Sequence, residues 1–329
     1  MKSKHSLFFT VIIPCKYIDS IVFDKLLPAL EKQTLTPKEV IIVPDHPESF
    51  NNPTGLAITI LPLNSGPANK RDYAAKKASG EYLAFIDADA YPHQNWLQSA
   101  AVHLSPNSIA AVCGPNLTPP NSPRKEVVSG LTWSSILGSG AAGSYRNNIS
   151  PARFVDDYPS SNLIVKHAAF IKAGGFDTHY YPGEDTILCL NLVYKLKQKI
   201  LYHPSIKIYH YRRPVFIPHL KQVARYGLHR GFFAKIHPKT SLRPGYLLPS
   251  LYLFSFILLP LFYTNYPILT IHLLSLLLYL FLLLTTSLLA LKQYRHLSLS
   301  LLLFITIPLT HLTYAIMFLV GLFTPKLSH

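Results

Sequence analysis

The chain has 329 residues, 49% of them hydrophobic and only 14% charged, with a formal net charge of +15. The charge deficit is local: from Pro244 to His329 there is no Asp or Glu, and the only strong bases are Lys292, Arg295 and Lys326. That division excludes a uniformly soluble protein. The absence of zinc-ligand spacing and of a long basic run sets nucleic acid aside in favour of membrane lipid or a phosphate-rich ligand as the anionic partner.

In chain order, Met1-Lys2-Ser3-Lys4-His5 and then Leu7 to Pro14 have the outline of a signal peptide, but Pro14-Cys15-Lys16 is no cleavage site. Phe8 to Ile13 reads instead as a buried first strand closed by Pro14. Ser20 to Gln33 has helical spacing. Val40 to Val43, Ile58 to Leu61 and Tyr82 to Ile86 are further strands, and Ala68 to Ala78 is a helix ended by Gly80 as a C-cap. Strands alternating with helices predict a mostly parallel sheet, with ligands outside the carboxyl ends of its strands. Asp45 and Asp87-Ala88-Asp89 stand at those ends.

Thr118 to Asp157, rich in Pro, Gly, Ser and Asn, predicts loops and a short helix around Val127 to Leu137. Glu184 to Lys195 reads as a helix with acids in its first turn, Ile206 to Tyr211 as a strand, and Pro218 to Lys235 as a basic amphipathic helix. Segments 246–263, 267–291 and 297–323 are apolar; the last two exceed the roughly 20 residues a bilayer crossing needs, while the first, with Pro249 and Pro260, is near the minimum and reads as a span or as an interfacial or re-entrant helix. The basic connector around Lys292 and Arg295 predicts a cytoplasmic loop, hence a cytoplasmic catalytic domain and an external C-terminus after three spans. Cys15, Cys113 and Cys189 lie in apolar stretches and are expected to be buried free thiols.

Two carboxylates one residue apart at a strand end, Asp87 and Asp89, can face a single hard cation, Mg²⁺ or Mn²⁺. His210 in Tyr209-His210-Tyr211 either completes that site or is an ordinary packed histidine. Glu184 and Asp185 serve the helix dipole, catalysis or both.

At this point the chain resembles the family-2 glycosyltransferases of GT-A fold over about residues 8 to 235. The resemblance rests on Val11-Ile12-Ile13-Pro14, Glu39 to Asp45, Gly66 to Asp72, Gly80 to Asp89, Ser161-Asn162-Leu163, Gly174-Gly175-Phe176-Asp177 and Gly183-Glu184-Asp185, in the family's order. It implies a Rossmann-like catalytic domain over 1–235, followed by an α-helical transmembrane bundle over 236–329. It further implies nucleotide-sugar contacts from Pro14, Asp45, Arg71, Asp87 and Asp89, with Asp87 on the metal or the ribose, and Asp185 as general base beside Glu184. Gln222-Val223-Ala224-Arg225-Tyr226 resembles the Gln-x-x-Arg-Trp motif of membrane polysaccharide synthases, with Tyr for Trp; Gln222, Arg225 and Tyr226 would then meet the acceptor or diphosphate. Cys15-Lys16-Tyr17 and Pro44-Asp45-His46 depart from the family's usual residues, which bears on base and ribose recognition.

The expected activity is inverting, metal-dependent sugar transfer from a nucleoside-diphosphate sugar, UDP first, to a lipid-linked acceptor at the cytoplasmic membrane, in cell-envelope glycan synthesis. The rivals are a processive polysaccharide synthase and a catalytically silent membrane scaffold.

Overall fold

The computed structural model describes residues 8–176, 180, 182–262 and 265–327. The N-terminal residues 1–7, Asp177 of the Gly-Gly-Phe-Asp turn and Tyr263 of the first apolar segment lie outside the described residues. The chain divides into two compact units, one of residues 1–119 and 148–211, the other of residues 120–147 and 212–329.

The first unit is built on strands β1 (Phe9–Pro14), β2 (Glu39–Val43), β3 (Ile58–Ile60) and β4 (Tyr82–Ile86), and helices α1 (Leu27–Glu31) and α2 (Pro67–Lys77). Next come β5 (Ala90–Pro92), α3 (Trp96–Leu104), β6 (Ile109–Cys113), β7 (Asn116–Leu117), and, in the other unit, α4 (Arg124–Ser134) and α5 (Ile136–Ser144). The chain returns with β8 (Arg153–Val155), β9 (Asn162–Lys166), α6 (His167–Ala173), α7 (Glu184–Leu190), β10 (Lys199–Tyr202) and β11 (Ile208–His210). Eight strands form one sheet in the order β3-β2-β1-β4-β9-β6-β10-β8, and β5-β11-β7 form a small second sheet.

β1 to β4 pair in parallel, as the continuous apolar runs require; every residue of β1 is buried. β9 is inserted antiparallel between β4 and β6. The sheet is therefore mixed, mostly parallel. Trp96 and Asn162 tie its far half together: the indole Nε1 donates to Asn162 Oδ1 at 2.8 Å, and Asn162 Nδ2 donates to the carbonyls of Gly114 and Ile206. Gly80 is not a C-cap. α2 ends at Lys77 with Ala78 already extended, and Gly80 is small because a Cβ there would lie 2.5 Å from Thr10 Oγ1 and 2.7 Å from Thr10 N.

The second unit adds α8 (Ile217–Ile236), α9 (Pro238–Ser241), α10 (Pro244–Leu258), α11 (Tyr266–Tyr294) and α12 (Leu297–Phe323). Residues 120–147, expected as catalytic-domain loops with one short helix, form α4 and α5 and pack with these helices. A buried polar relay joins three of them: His219 Nδ1 meets Ser129 Oγ at 2.8 Å and its Nε2 meets Thr310 Oγ1 at 3.0 Å. Burial pushes His219 down to about 4, so the ring is neutral at physiological pH. Three stretches, Pro244–Leu261, Tyr266–Tyr294 and Leu297–Phe323, are long and apolar enough to cross a membrane. All three cysteines are free and buried, as their apolar surroundings predict.

Candidate functional site

The site lies in the first unit, where β4 ends. Asp87 and Asp89 follow β4 directly. β11 delivers the histidine: it pairs antiparallel with β5 so that His210 stands opposite Ala90, and Tyr211 N donates to the Asp89 carbonyl at 2.9 Å. Stacked Tyr91 and Tyr209 rings, 5.1 Å apart, fix that pairing. His210 Nε2 lies 3.0 Å from Asp89 Oδ1 and 3.9 Å from Asp87 Oδ2. One ligand atom from each of Asp87, Asp89 and His210 falls within a 4.8 Å cluster. Two carboxylate oxygens and an imidazole, each partly open to solvent, match the donor set of a catalytic divalent cation.

Arg71 joins this cluster to the acid pair of α7. It is buried on α2; its Nη2 donates to Asp87 Oδ1 at 2.6 Å and its Nη1 to Glu184 Oε1 at 3.2 Å. Its ring neighbour is Phe176, 5.6 Å away, in the turn that Asp72 fastens by accepting from Phe176 N. Burial would lower the Arg71 pKa, but Asp87 and Glu184 outweigh it and the net direction is upward. The guanidinium the sequence assigned to nucleotide contact is thus engaged between two protein carboxylates.

Glu184 and Asp185 open α7 after Gly183. Burial, reinforced by Asp185, pushes Glu184 up to about 7, with Arg71 pulling the other way. Burial and then Asp157 raise Asp185, while Arg71 and the backbone N–H groups of Ser160 and Thr186 restrain it. Thr186 N donates to Asp185 Oδ1 at 2.8 Å and Ser160 N to its Oδ2 at 3.3 Å, so two backbone donors aim the carboxylate. Asp185 retains partial exposure where Glu184 has almost none. An acid that is oriented, accessible and raised in pKa suits proton abstraction; its buried neighbour suits support.

At the end of β2, Asp45 is paired with Lys70, which also donates to the Cys15 carbonyl. The Lys70 hydrogen bond holds the Asp45 carboxyl below its ordinary range. Pro14 ends β1 beside Val43, buried. Sequence reasoning missed Lys70 and Asp157. Lys70 stood only as part of the Gly66 to Asp72 segment, with no role of its own; α2 packing on β1 and β2 buries it. Asp157 lay in a stretch read as loop, yet it accepts from Thr186 Oγ1 at 2.8 Å, next to the Glu184–Asp185 pair.

Gln222, Arg225 and Tyr226 lie on α8 in the second unit. Gln222 Nε2 donates to Tyr226 Oη at 3.2 Å, and the Tyr226 ring meets Trp133 edge-on at 5.9 Å.

A family model described as Glycosyl transferase family 2 matches residues 10–150, and one described as Glycosyl transferase family group 2 matches residues 82–324. The chain belongs to the family-2 glycosyltransferases. The pre-mycofactocin glycosyltransferase of Mycobacterium tuberculosis is 25% identical over 177 residues, which is 54% of this chain and 37% of that protein. The glucosyl-dolichyl phosphate glucuronosyltransferase of Haloferax volcanii is 21% identical over 203 residues, 57% of this chain and 64% of its own length. This chain therefore spans less than two thirds of each of these curated relatives. Among solved structures, the mannosyltransferase PcManGT from Pyrobaculum calidifontis, in complex with GDP-Man and Mn²⁺, is similar at TM-score 0.50 and 17% identity, covering 95% of this chain and 85% of that one. The likeness establishes a GT-A fold for the family-2 domain.

Proposed function

We propose that this family-2 chain is an inverting, metal-dependent glycosyltransferase that moves a sugar from a nucleoside-diphosphate donor to a membrane-associated, lipid-linked acceptor. The single observation that carries the reading is the continuous array Asp89–His210–Asp87–Arg71–Glu184, with Asp185 beside it. Asp87, Asp89 and His210 would hold Mg²⁺ or Mn²⁺, which when bound supplies charge neutralisation for the departing diphosphate. Asp45 and Pro14, at the ends of β2 and β1, border the place expected for the nucleoside. Asp185 takes the proton from the acceptor hydroxyl as its oxygen attacks the anomeric carbon in line, and displacement in one step inverts the configuration. Arg71 holds the metal-binding acid and the acid pair in one frame.

The lipid-linked acceptor is supported by the apolar helices joined to the catalytic unit and by the Haloferax relative, whose name gives a dolichyl phosphate substrate. Attachment to the membrane raises the effective concentration of such an acceptor. Retention of Asp45, Asp87, Asp89 and Asp185 speaks against the silent scaffold. The test is a donor screen with full-length protein and membrane extract, reading nucleoside diphosphate release: one donor series stimulated by Mn²⁺ or Mg²⁺ and by extract supports the proposal. No release above background from any nucleoside-diphosphate sugar removes it.

A further inference from the structure

Between β8 and β9 the chain crosses α7, and the crossing is fastened there residue by residue. Asp156 Oδ2 accepts from Tyr194 Oη at 2.5 Å, and Asp157 Oδ1 accepts from Thr186 Oγ1 at 2.8 Å. The Tyr158 carbonyl accepts from Cys189 Sγ at 3.6 Å, and Ser160 N donates to Asp185 Oδ2 at 3.3 Å. Tyr158 also anchors the crossing to the end of β6, its hydroxyl donating to the Gly114 carbonyl at 2.6 Å. Asp157, Tyr158, Ser160 and Thr186 are all buried.

The acid in this strap stands out chemically. Taking a carboxylate out of water costs free energy, and Asn would accept the same hydrogen bond from Thr186 without that cost. What Asp157 adds over Asn is charge, and the site gives that charge an object. Thr186, whose hydroxyl is tied to Asp157, donates its backbone N–H to Asp185 Oδ1 at 2.8 Å. Ser160, three residues along the strap, holds the other oxygen of the same carboxylate. Among the described residues, the charged groups facing Asp185 are Asp157, Arg71 and the adjoining Glu184. Arg71 draws the Asp185 proton affinity down, and Asp157 pushes it up. A carboxylate that holds its proton more firmly is the stronger base at the moment of transfer.

We propose that Asp157 is a positioning residue for Asp185, acting through Thr186 to aim its carboxylate and through its own negative charge to strengthen it as a base. This rests on Asp185 as the base of the proposed transfer. Asp157 itself touches no substrate in this arrangement; its effect reaches the reaction through Asp185 alone.

The test measures rate against pH for the full-length enzyme, with the donor found by screening and membrane extract as acceptor. Asp157→Asn keeps an oxygen for the Thr186 hydroxyl and removes the charge. Its acid limb should move to lower pH by about 0.5–1.5 units, with a lower plateau rate and an unchanged KM for the donor. Thr186→Val keeps the backbone donor but cuts the tether. Its kcat should fall by about 10–100-fold at unchanged donor KM, the cost of a slightly misplaced group, and Thr186→Ser should recover most of the loss. A purely structural role for the strap would lower thermal stability without moving the acid limb. Asp185→Asn separates the two readings. If it is inactive while the Asp157→Asn acid limb stays at the wild-type position, the positioning role is overturned and the general base stands. If Asp185→Asn turns over at the wild-type rate, the general-base reading falls and this one with it.

Discussion

Replacing Arg71 by Met removes the cation that holds Asp87 and Glu184 in one frame. Truncating one member of a buried ion pair costs about 3–5 kcal/mol, because the partner charge stays behind. Here both partners have an escape. The Asp87 side chain is 29% exposed and can turn to water, and Glu184, already raised to about 7, can take up a proton. The cost therefore falls at the low end, about 3 kcal/mol, which for a domain of this size lowers Tm by about 6–12 °C. The full chain in detergent, followed by thermal unfolding, reads this directly. Arg71→Lys keeps the charge and loses the two-pronged geometry, so its Tm falls between wild type and Arg71→Met. Since Arg71 opposes the upward shifts of Glu184 and Asp185, the acid limb of the pH–rate profile also moves to higher pH in Arg71→Met. A melting temperature within 1–2 °C of wild type (well under about 1 kcal/mol), with an unmoved acid limb, refutes the role of Arg71 as a strut.

Asp185→Asn should lower turnover by about 10²–10⁴-fold without changing Tm, the usual contribution of a positioned base. In the wild type the rate should fall with decreasing pH earlier than for an ordinary carboxylate, because Asp185 must be ionised and its pKa is raised. Glu184 binds its proton more tightly folded (about 7) than at the ordinary value of 4.5. The stability it contributes is complete below the ordinary carboxylate range and is lost as pH rises through about 7; Glu184→Gln should flatten that pH dependence of Tm. His210→Ala should weaken Mn²⁺ binding by at least the 10–100-fold that loss of an outer-sphere partner costs, measured by paramagnetic resonance of free Mn²⁺. Gly231→Leu should destabilise the second unit by about 1–3 kcal/mol, since its Cβ meets backbone rather than a movable side chain.

The part of the fold legible in sequence was the part governed by local pattern. β1, β2 and β4 are unbroken apolar runs, and the Asp87-Ala88-Asp89 turn follows the last of them, so both strands and acids could be placed. α12 was read to its observed bounds, Leu297–Phe323, because length and lack of charge define it. What was not legible depends on remote partners. β9 is antiparallel because it enters between β4 and β6, which nothing in Asn162 to Lys166 announces. Residues 120–147 are rich in Gly, Ser and Pro and read as loops; packing against α10, α11 and α12 makes α4 and α5 helical. The burial of Lys70 and Arg71 on α2 likewise follows from the sheet beneath and the carboxylates around them, not from neighbouring sequence. His210 was balanced between ligand and packing residue until the β5–β11 register set it 3.0 Å from Asp89.

The most direct test of the central claim compares wild type with Asp89→Asn in Mn²⁺-dependent nucleoside diphosphate release, using the donor found by screening. A chelator should abolish release by the wild type, and the Asp89→Asn variant should melt at the wild-type temperature but release nothing above background. Wild-type turnover by Asp89→Asn, or release indifferent to the chelator, contradicts that claim.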